Sequence, residues 1–331
     1  MNGDITTVVW AALAAFAISA VICPIIIPYL RKLKLGQSIR EDGPETHLKK
    51  AGTPFMGGIA IVVAFVAVSA FFISDAPPMV LPVILCTVGF CFIGFFDDYI
   101  KRIKKRSLGL KAWQKMAGQI VVTGGFVALL FWHGIDTTVF VPFVGGYLDL
   151  GFLYVPFIFF VVIGTANGVN LTDGLDGLAS GVTVLVSVFF VFVSFMMGSV
   201  LSPVIGAAAG AIMGFLLFNA HPAKIFMGDM GSLALGGFVA SVAVMLDMAL
   251  FIPIVGLIYM VEVFSVMLQV GYYKLTKDKK TGVGKRLFRM APIHHHFEKA
   301  GWPETRVVAV FHIITAIMCF VGFLAINPLL G

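Results

Sequence analysis

The chain is 331 residues long, 59% hydrophobic and only 12% charged, with a mean hydropathy of +1.00. Soluble domains carry about 25% charged residues, so too little charge is present to wet the surface of a soluble globule. The strand alternation of a membrane β-barrel is absent over nearly the whole length, which leaves a bundle of membrane-spanning helices.

Apolar runs long enough for a helix to cross about 30 Å of hydrocarbon fall at 5–30, 56–74, 79–96, 115–132, 152–167, 178–197, 201–218, 232–246, 249–273 and 307–328. These ten spans predict an all-α integral membrane protein, a single polytopic domain over 1–331. The first run has Asp4 ahead of it and Arg31, Lys32 and Lys34 behind it, which reads as a retained span rather than a signal peptide. All 23 Lys and Arg residues lie in four inter-span segments: six in 31–55, seven in 97–115, one in 219–231 and nine in 274–306. Each of these segments follows an odd-numbered span. The positive-inside rule therefore makes that face cytoplasmic and puts both termini outside. The net charge of +6 is then the sum of topology signals, with a share in attracting an anionic substrate, and it does not indicate nucleic-acid binding.

Cys23, Cys86, Cys91 and Cys319 lie inside apolar runs without metal-ligand spacing, as small buried hydrophobes would. On the opposite face, alternation around Gly145-Gly146 within 136–151 predicts a small outer β-hairpin.

Four polar clusters interrupt the basic face. The third span ends in Asp97-Asp98, two adjacent carboxylates that repel each other where apolar helix meets basic loop. Neighbouring helical positions point about 100° apart, so one carboxylate could face a metal or a lysine and the other a second substrate. A solvated helix end, neutralised by Lys101, Arg102, Lys104, Lys105 and Arg106, is the plain alternative. Between spans five and six runs Asn167-Gly-Val-Asn170-Leu-Thr-Asp173-Gly-Leu-Asp176-Gly. Asp173 could simply cap the sixth helix with Asp176 in its first turn. Two Asn, one Thr, two Asp and three Gly in eleven residues exceed what a cap needs and suit close backbone approach to a polar ligand. Ahead of span eight, Asn219 and Phe226 lead into Gly228-Asp229-Met-Gly-Ser232, a helix start suited to phosphate with a carboxylate for a hard cation such as Mg²⁺. The most basic loop contains Met290-Ala-Pro-Ile-His294-His295-His296-Phe-Glu298. Three consecutive imidazoles lack the i,i+4 spacing of a helical zinc site and suit hydrogen bonding to a pyrophosphate. Glu262, inside the ninth span, is a functional candidate by its position. It could equally pair with a polar residue of a neighbouring span, and it stays outside the catalytic set.

Together the Asp97-Asp98 pair, the N-L-T-D-G-L-D-G stretch at 170–177, the F-N-A-x-P-A-x-x-F-M-G-D-x-G-S stretch at 218–232 and the M-A-P-I-H-H-H-F-E stretch at 290–298 resemble the polyprenyl-phosphate N-acetylhexosamine-1-phosphate transferase superfamily. The last stretch, with G-T-P-x-M-G-G at 52–58, is similar to that of its phospho-N-acetylmuramoyl-pentapeptide transferase family. The resemblance covers the whole chain. It implies ten spans, a cytoplasmic site, and transfer from UDP-N-acetylmuramoyl-pentapeptide to undecaprenyl phosphate with Mg²⁺, releasing UMP. It makes Asp229 the Mg²⁺ ligand and puts Asp97 and Asp98 on the lipid-phosphate side. Asn170, Asp173, Asp176, Asn219 and Phe226 match nucleotide-binding positions, Lys50, Lys101 and Lys105 would neutralise phosphate, and His294, His295 and His296 would contact pyrophosphate or sugar. Membrane lipid and a homodimer are the further partners it implies. Two rival readings are a sister enzyme transferring GlcNAc-1-phosphate and a secondary transporter. The His run argues against the first. Carboxylates at span ends rather than at the midplane argue against the second.

Overall fold

The computed structural model describes residues 4–32, 52–104, 109–278 and 280–330, the last four by backbone alone. Twelve helices are described: α1 Ile5–Lys32, α2 Gly58–Ser69, α3 Pro77–Ile103, α4 Ala112–Trp132, α5 Tyr154–Thr172, α6 Leu178–Met196, α7 Ser202–Asn219, α8 Gly228–Met245, α9 Ile252–Val255, α10 Leu257–Leu275, α11 Ile293–Lys299 and α12 Glu304–Leu330. Between α4 and α5 stand strands β1 Thr138–Val141 and β2 Gly146–Asp149. Among the described residues eight helices are long and apolar enough to cross a bilayer, and the bent pair α9–α10 makes nine, so the protein is a multi-pass membrane protein.

The count of ten spans is not reproduced, and the chain itself supplies the reason. The apolar run 56–74 yields only α2 and a short 3-10 turn, Ala70–Phe72. Its first residues are drawn into extended pairing instead: Phe226 N–H donates to the Pro54 carbonyl at 2.8 Å, and Gly57 N–H to the Phe226 carbonyl at 2.9 Å. What remains helical rises roughly 22 Å at 1.5 Å per residue, short of the hydrocarbon thickness. The ninth run is also discontinuous. Its two helices meet at Gly256 with an 81° bend; Pro253 sits in the first turn of α9, where proline is tolerated, and Gly256 is the residue at the break.

Small residues set how closely the helices approach, as expected where lipid supplies no hydrophobic drive between them. Along α7, Gly206, Gly210 and Gly214 meet the backbone carbonyls of Val8, Ala12 and Phe16 on α1; a Cβ at Gly210 would overlap the Ala12 carbonyl. Both rows advance together, so α1 and α7 run parallel. Gly237 meets Phe90 while Gly94, one turn further along α3, meets Asp229, so α3 and α8 run antiparallel. These directions agree with the numbering of the spans. Phe90, Phe189, Phe190, Phe215, Phe238 and Phe251 fill the interior between the rows.

The hairpin forms as expected, with Thr138 opposite Asp149 and Val141 opposite Gly146. It plugs the end of the bundle. Phe140 is buried and stacks on Phe251 at 5.9 Å, its N–H donates to the Asp247 carbonyl, and Phe143 N–H donates to the Ala325 carbonyl of α12. The clusters singled out by sequence lie at the other end.

Candidate active site

Three carboxylates converge where the end of α3 meets the start of α8. Close approach is possible because Gly94 and Gly58 carry no Cβ: one at Gly94 would overlap the Asp229 backbone, and one at Gly58 the Gly231 backbone. Gly228 opens α8 at φ +71°, a left-handed conformation that favours glycine, and a Cβ there would stand 2.5 Å from Asp98 Oδ2. In consequence one oxygen each from Asp97, Asp98 and Asp229 lie within 4.8 Å of one another.

Lysines and amide groups compensate them. Lys101 Nζ lies 2.7 Å from Asp97, 3.4 Å from Asp98 and 3.1 Å from Asp229. Lys115 Nζ donates to Asp229 at 2.9 Å and to Asn170 Oδ1 at 3.0 Å. Asn170 in turn donates to Asp229 at 3.0 Å and to Ser232 Oγ at 2.8 Å. Backbone N–H groups complete the shell, from Leu110 to Asp97 at 2.9 Å and from Met230, in the first turn of α8, to Asp98 at 3.1 Å. The two adjacent aspartates therefore do not face apart. Both reach Lys101, because a lysine three and four residues further on lies on the face that both flank.

The remaining sequence candidates are distributed around this centre. Asp173 ends α5 rather than capping α6, whose N-cap is Gly177 at φ +76°. Burial, with the negative charges of Asp229 and Asp98, pushes the Asp173 carboxyl well above the usual carboxylate range. Asp176 accepts from Ala223 N–H at 3.0 Å and pairs with His221 Nδ1 at 3.1 Å, while its own N–H donates to Glu304 at 2.7 Å. Asn219 is buried and uses both ends of its amide within the fold, accepting from Ser180 and donating to the Ile225 carbonyl. Phe226 is half-buried beside it. The histidines lie on α11, a short helix rather than a loop, and their partners differ: His294 meets Glu262, His295 meets Glu298, and His296 accepts from Arg289 N–H. Lys50 and Lys105 lie outside the described residues. The four cysteines are buried and free.

The family model described as Glycosyl transferase family 4 matches residues 80–247, about half of the chain. A phospho-N-acetylmuramoyl-pentapeptide-transferase of Clostridium perfringens is 47% identical over 317 residues, which cover 96% of this chain and 98% of that protein. Its namesake in Clostridioides difficile is 48% identical over 326 residues, covering 97% and 98%. The Acetivibrio thermocellus protein of the same name is 46% identical over 328 residues, covering 98% and 97%. The chain belongs to the phospho-N-acetylmuramoyl-pentapeptide-transferase family. It is a transferase.

Within this member of the family, Lys115, His221 and Glu304 stand outside the site that the sequence predicts, and Ser232 enters it only as the end of the helix-start motif. Lys115 was counted only as topology charge. Its position at the edge of an apolar run, on the same helical face as Gln119, was the available signal. Gln119 exchanges amide hydrogen bonds with Asn167, one turn below Lys115 and Asn170. His221 and Glu304 carry no motif of their own, and only the packing of α12 against α6 brings Glu304 to Asp176.

Proposed function

We propose that the protein transfers phospho-N-acetylmuramoyl-pentapeptide from UDP-N-acetylmuramoyl-pentapeptide to undecaprenyl phosphate at the Asp97, Asp98 and Asp229 cluster. An acceptor phosphate oxygen attacks the sugar-linked phosphorus, the bond from that phosphorus to the bridging oxygen breaks, and UMP leaves with the bond's electron pair. The products are the lipid-linked diphospho-sugar and UMP. The observation that carries the reading is the bridging of three carboxylates by Lys101 and Lys115 at a helix end. That end is where a lipid phosphate and a water-soluble nucleotide can meet.

An all-oxygen set of carboxylates within 4.8 Å suits a hard divalent cation. Asp229 would hold Mg²⁺, with its charge offsetting the repulsion between the two phosphates. Asp98, held by Met230 N–H, readies the acceptor phosphate. Asp97 orients Lys101, which with Lys50 and Lys105 neutralises phosphate charge. Asn170, Asp173, Asp176 and Phe226 form the nucleotide side, and Asn219 holds the 219–226 turn that presents Phe226. His295 and His296 line the sugar and pyrophosphate side, and His294, buried against Glu262, stands behind them.

Detergent-purified protein given radiolabelled UDP-N-acetylmuramoyl-pentapeptide, undecaprenyl phosphate and Mg²⁺ should yield a labelled lipid and UMP. Product from UDP-GlcNAc instead would assign the sister reaction. We further propose that the basic end faces the cytoplasm of a bacterial inner membrane, from the distribution of Lys and Arg.

A further inference from the structure

Glu262 is the only acidic residue of α10, and it is fully buried. Its Oε1 lies 3.0 Å from Nδ1 of His294, itself only 1% exposed. Two atoms of this pair are left over. Neither Oε2 of Glu262 nor Nε2 of His294 has a hydrogen-bond partner among the described residues. The ring stands directly beneath the loop between α5 and α6, where a Cβ on Gly174 would overlap Nε2. Glu262 thus reaches the Asp173-Gly174-Leu-Asp176 segment through one imidazole.

The hydrogen bond shared by Glu262 Oε1 and Nδ1 fixes the ring with Nε2 toward Gly174. Most buried polar atoms in proteins are satisfied, and two orphans on one buried pair are poorly explained by stability alone. Partnering a ring's second nitrogen is the usual way a protein fixes its orientation and basicity.

We propose that Glu262 is a positioning residue of the transferase site, acting through His294 on the loop that carries Asp173 and Asp176. The inference rests on the reading of that loop as the nucleotide side. Glu262 aims the ring, the ring supports Gly174, and the loop keeps its two carboxylates in place for the nucleotide donor. The acceptor side is assigned to Asp98 at the end of α3 and does not run through the pair.

Glu262→Gln keeps the shape and one acceptor oxygen while removing the charge. It should raise KM for the UDP-sugar about tenfold, the order seen when a supporting partner is removed, with kcat and the KM for undecaprenyl phosphate changed less than about twofold. His294→Gln should show the same donor defect, and the double variant should be no worse than either alone, because both act through one ring. A donor KM left unchanged by Glu262→Gln, defects that multiply in the double variant, or equal rises in donor and acceptor KM would each overturn the proposal. If Glu262→Gln does not fold, His294→Gln and Gly174→Ala carry the test, and wild-type donor KM in both overturns it. If the unmodified protein gives no product with these substrates, the reaction assignment has failed. Calorimetric binding of UDP then reads the pair without turnover, with about tenfold weaker binding by Glu262→Gln expected and equal binding overturning the proposal.

Discussion

The two ends of the bundle hold carboxylates in opposite ways. At the site end each of Asp97, Asp98 and Asp229 has a lysine within ion-pair distance and receives a hydrogen bond from a backbone or side-chain N–H. At the hairpin end the loops carry Asp75, Asp136, Asp149 and Asp247 and no Lys or Arg. That end is closed by aromatic packing, Phe140 against Phe251 and Tyr147. Asp247, half-buried there without a cation, has its carboxyl pushed up to about 6 by burial and by Asp136 nearby. Charge is organised where chemistry is proposed, and only tolerated where the bundle is sealed.

The comparison can be broken most sharply by sidedness. With Lys285→Cys at the basic end and Val144→Cys at the hairpin tip, both exposed positions, an impermeant thiol reagent added to intact cells should label the second and not the first. The reverse pattern would invert the proposed orientation. Next in size is Asp229→Asn, which removes one charge from the cluster while keeping its shape. Turnover should fall about a hundredfold or more, roughly 2.7 kcal/mol of barrier. Near-wild-type turnover with unaltered Mg²⁺ dependence would move the proposed metal ligand elsewhere.

Gly94→Ala tests whether the close approach of α3 and α8 matters for the cluster. The added methyl has to displace the Asp229 backbone, an overpacking that costs about 1–3 kcal/mol and should appear as a lowered melting temperature together with lost turnover. A folded variant with full activity would separate the seam from the site. The smallest effect is expected at Asp247. Its carboxyl titrates higher in the folded protein than in the unfolded chain, so it is tolerated below the ordinary carboxylate range and destabilises increasingly as pH rises toward 6. Asp247→Asn keeps a residue suited to φ +59° and should stabilise the fold at pH 7.5 by about 1 kcal/mol after allowance for solvent screening, read as a raised melting temperature. The gain should vanish near pH 4. Equal gains at both pH values would mean that titration of Asp247 is not the cause.

Much of the fold was legible because hydrocarbon is a simple solvent: a helix must be apolar for its whole transit, and length alone then locates it. The same simplicity explains the failures. Hydropathy cannot see that the run 56–74 begins as extended chain paired with Phe226, nor can it see the bend at Gly256. Asp97, Asp98 and Asp229 were legible because charge in such a chain is expensive and therefore conspicuous. Lys115 was hidden among topology charges, and Glu304 had no signal until α12 packed beside α6.

The sequence by itself determined that this is a helical membrane protein, that its basic loops share one face, which motifs lie on that face, and which family they resemble. Those properties depend on composition and spacing, which the chain carries locally. Tertiary structure alone decided that the two adjacent aspartates share one lysine, that Asn219 turns inward, that the three histidines take separate partners, and that Glu262 reaches Gly174 through His294. These depend on how closely helices distant in sequence approach, which is set by where glycines allow one backbone to rest on another.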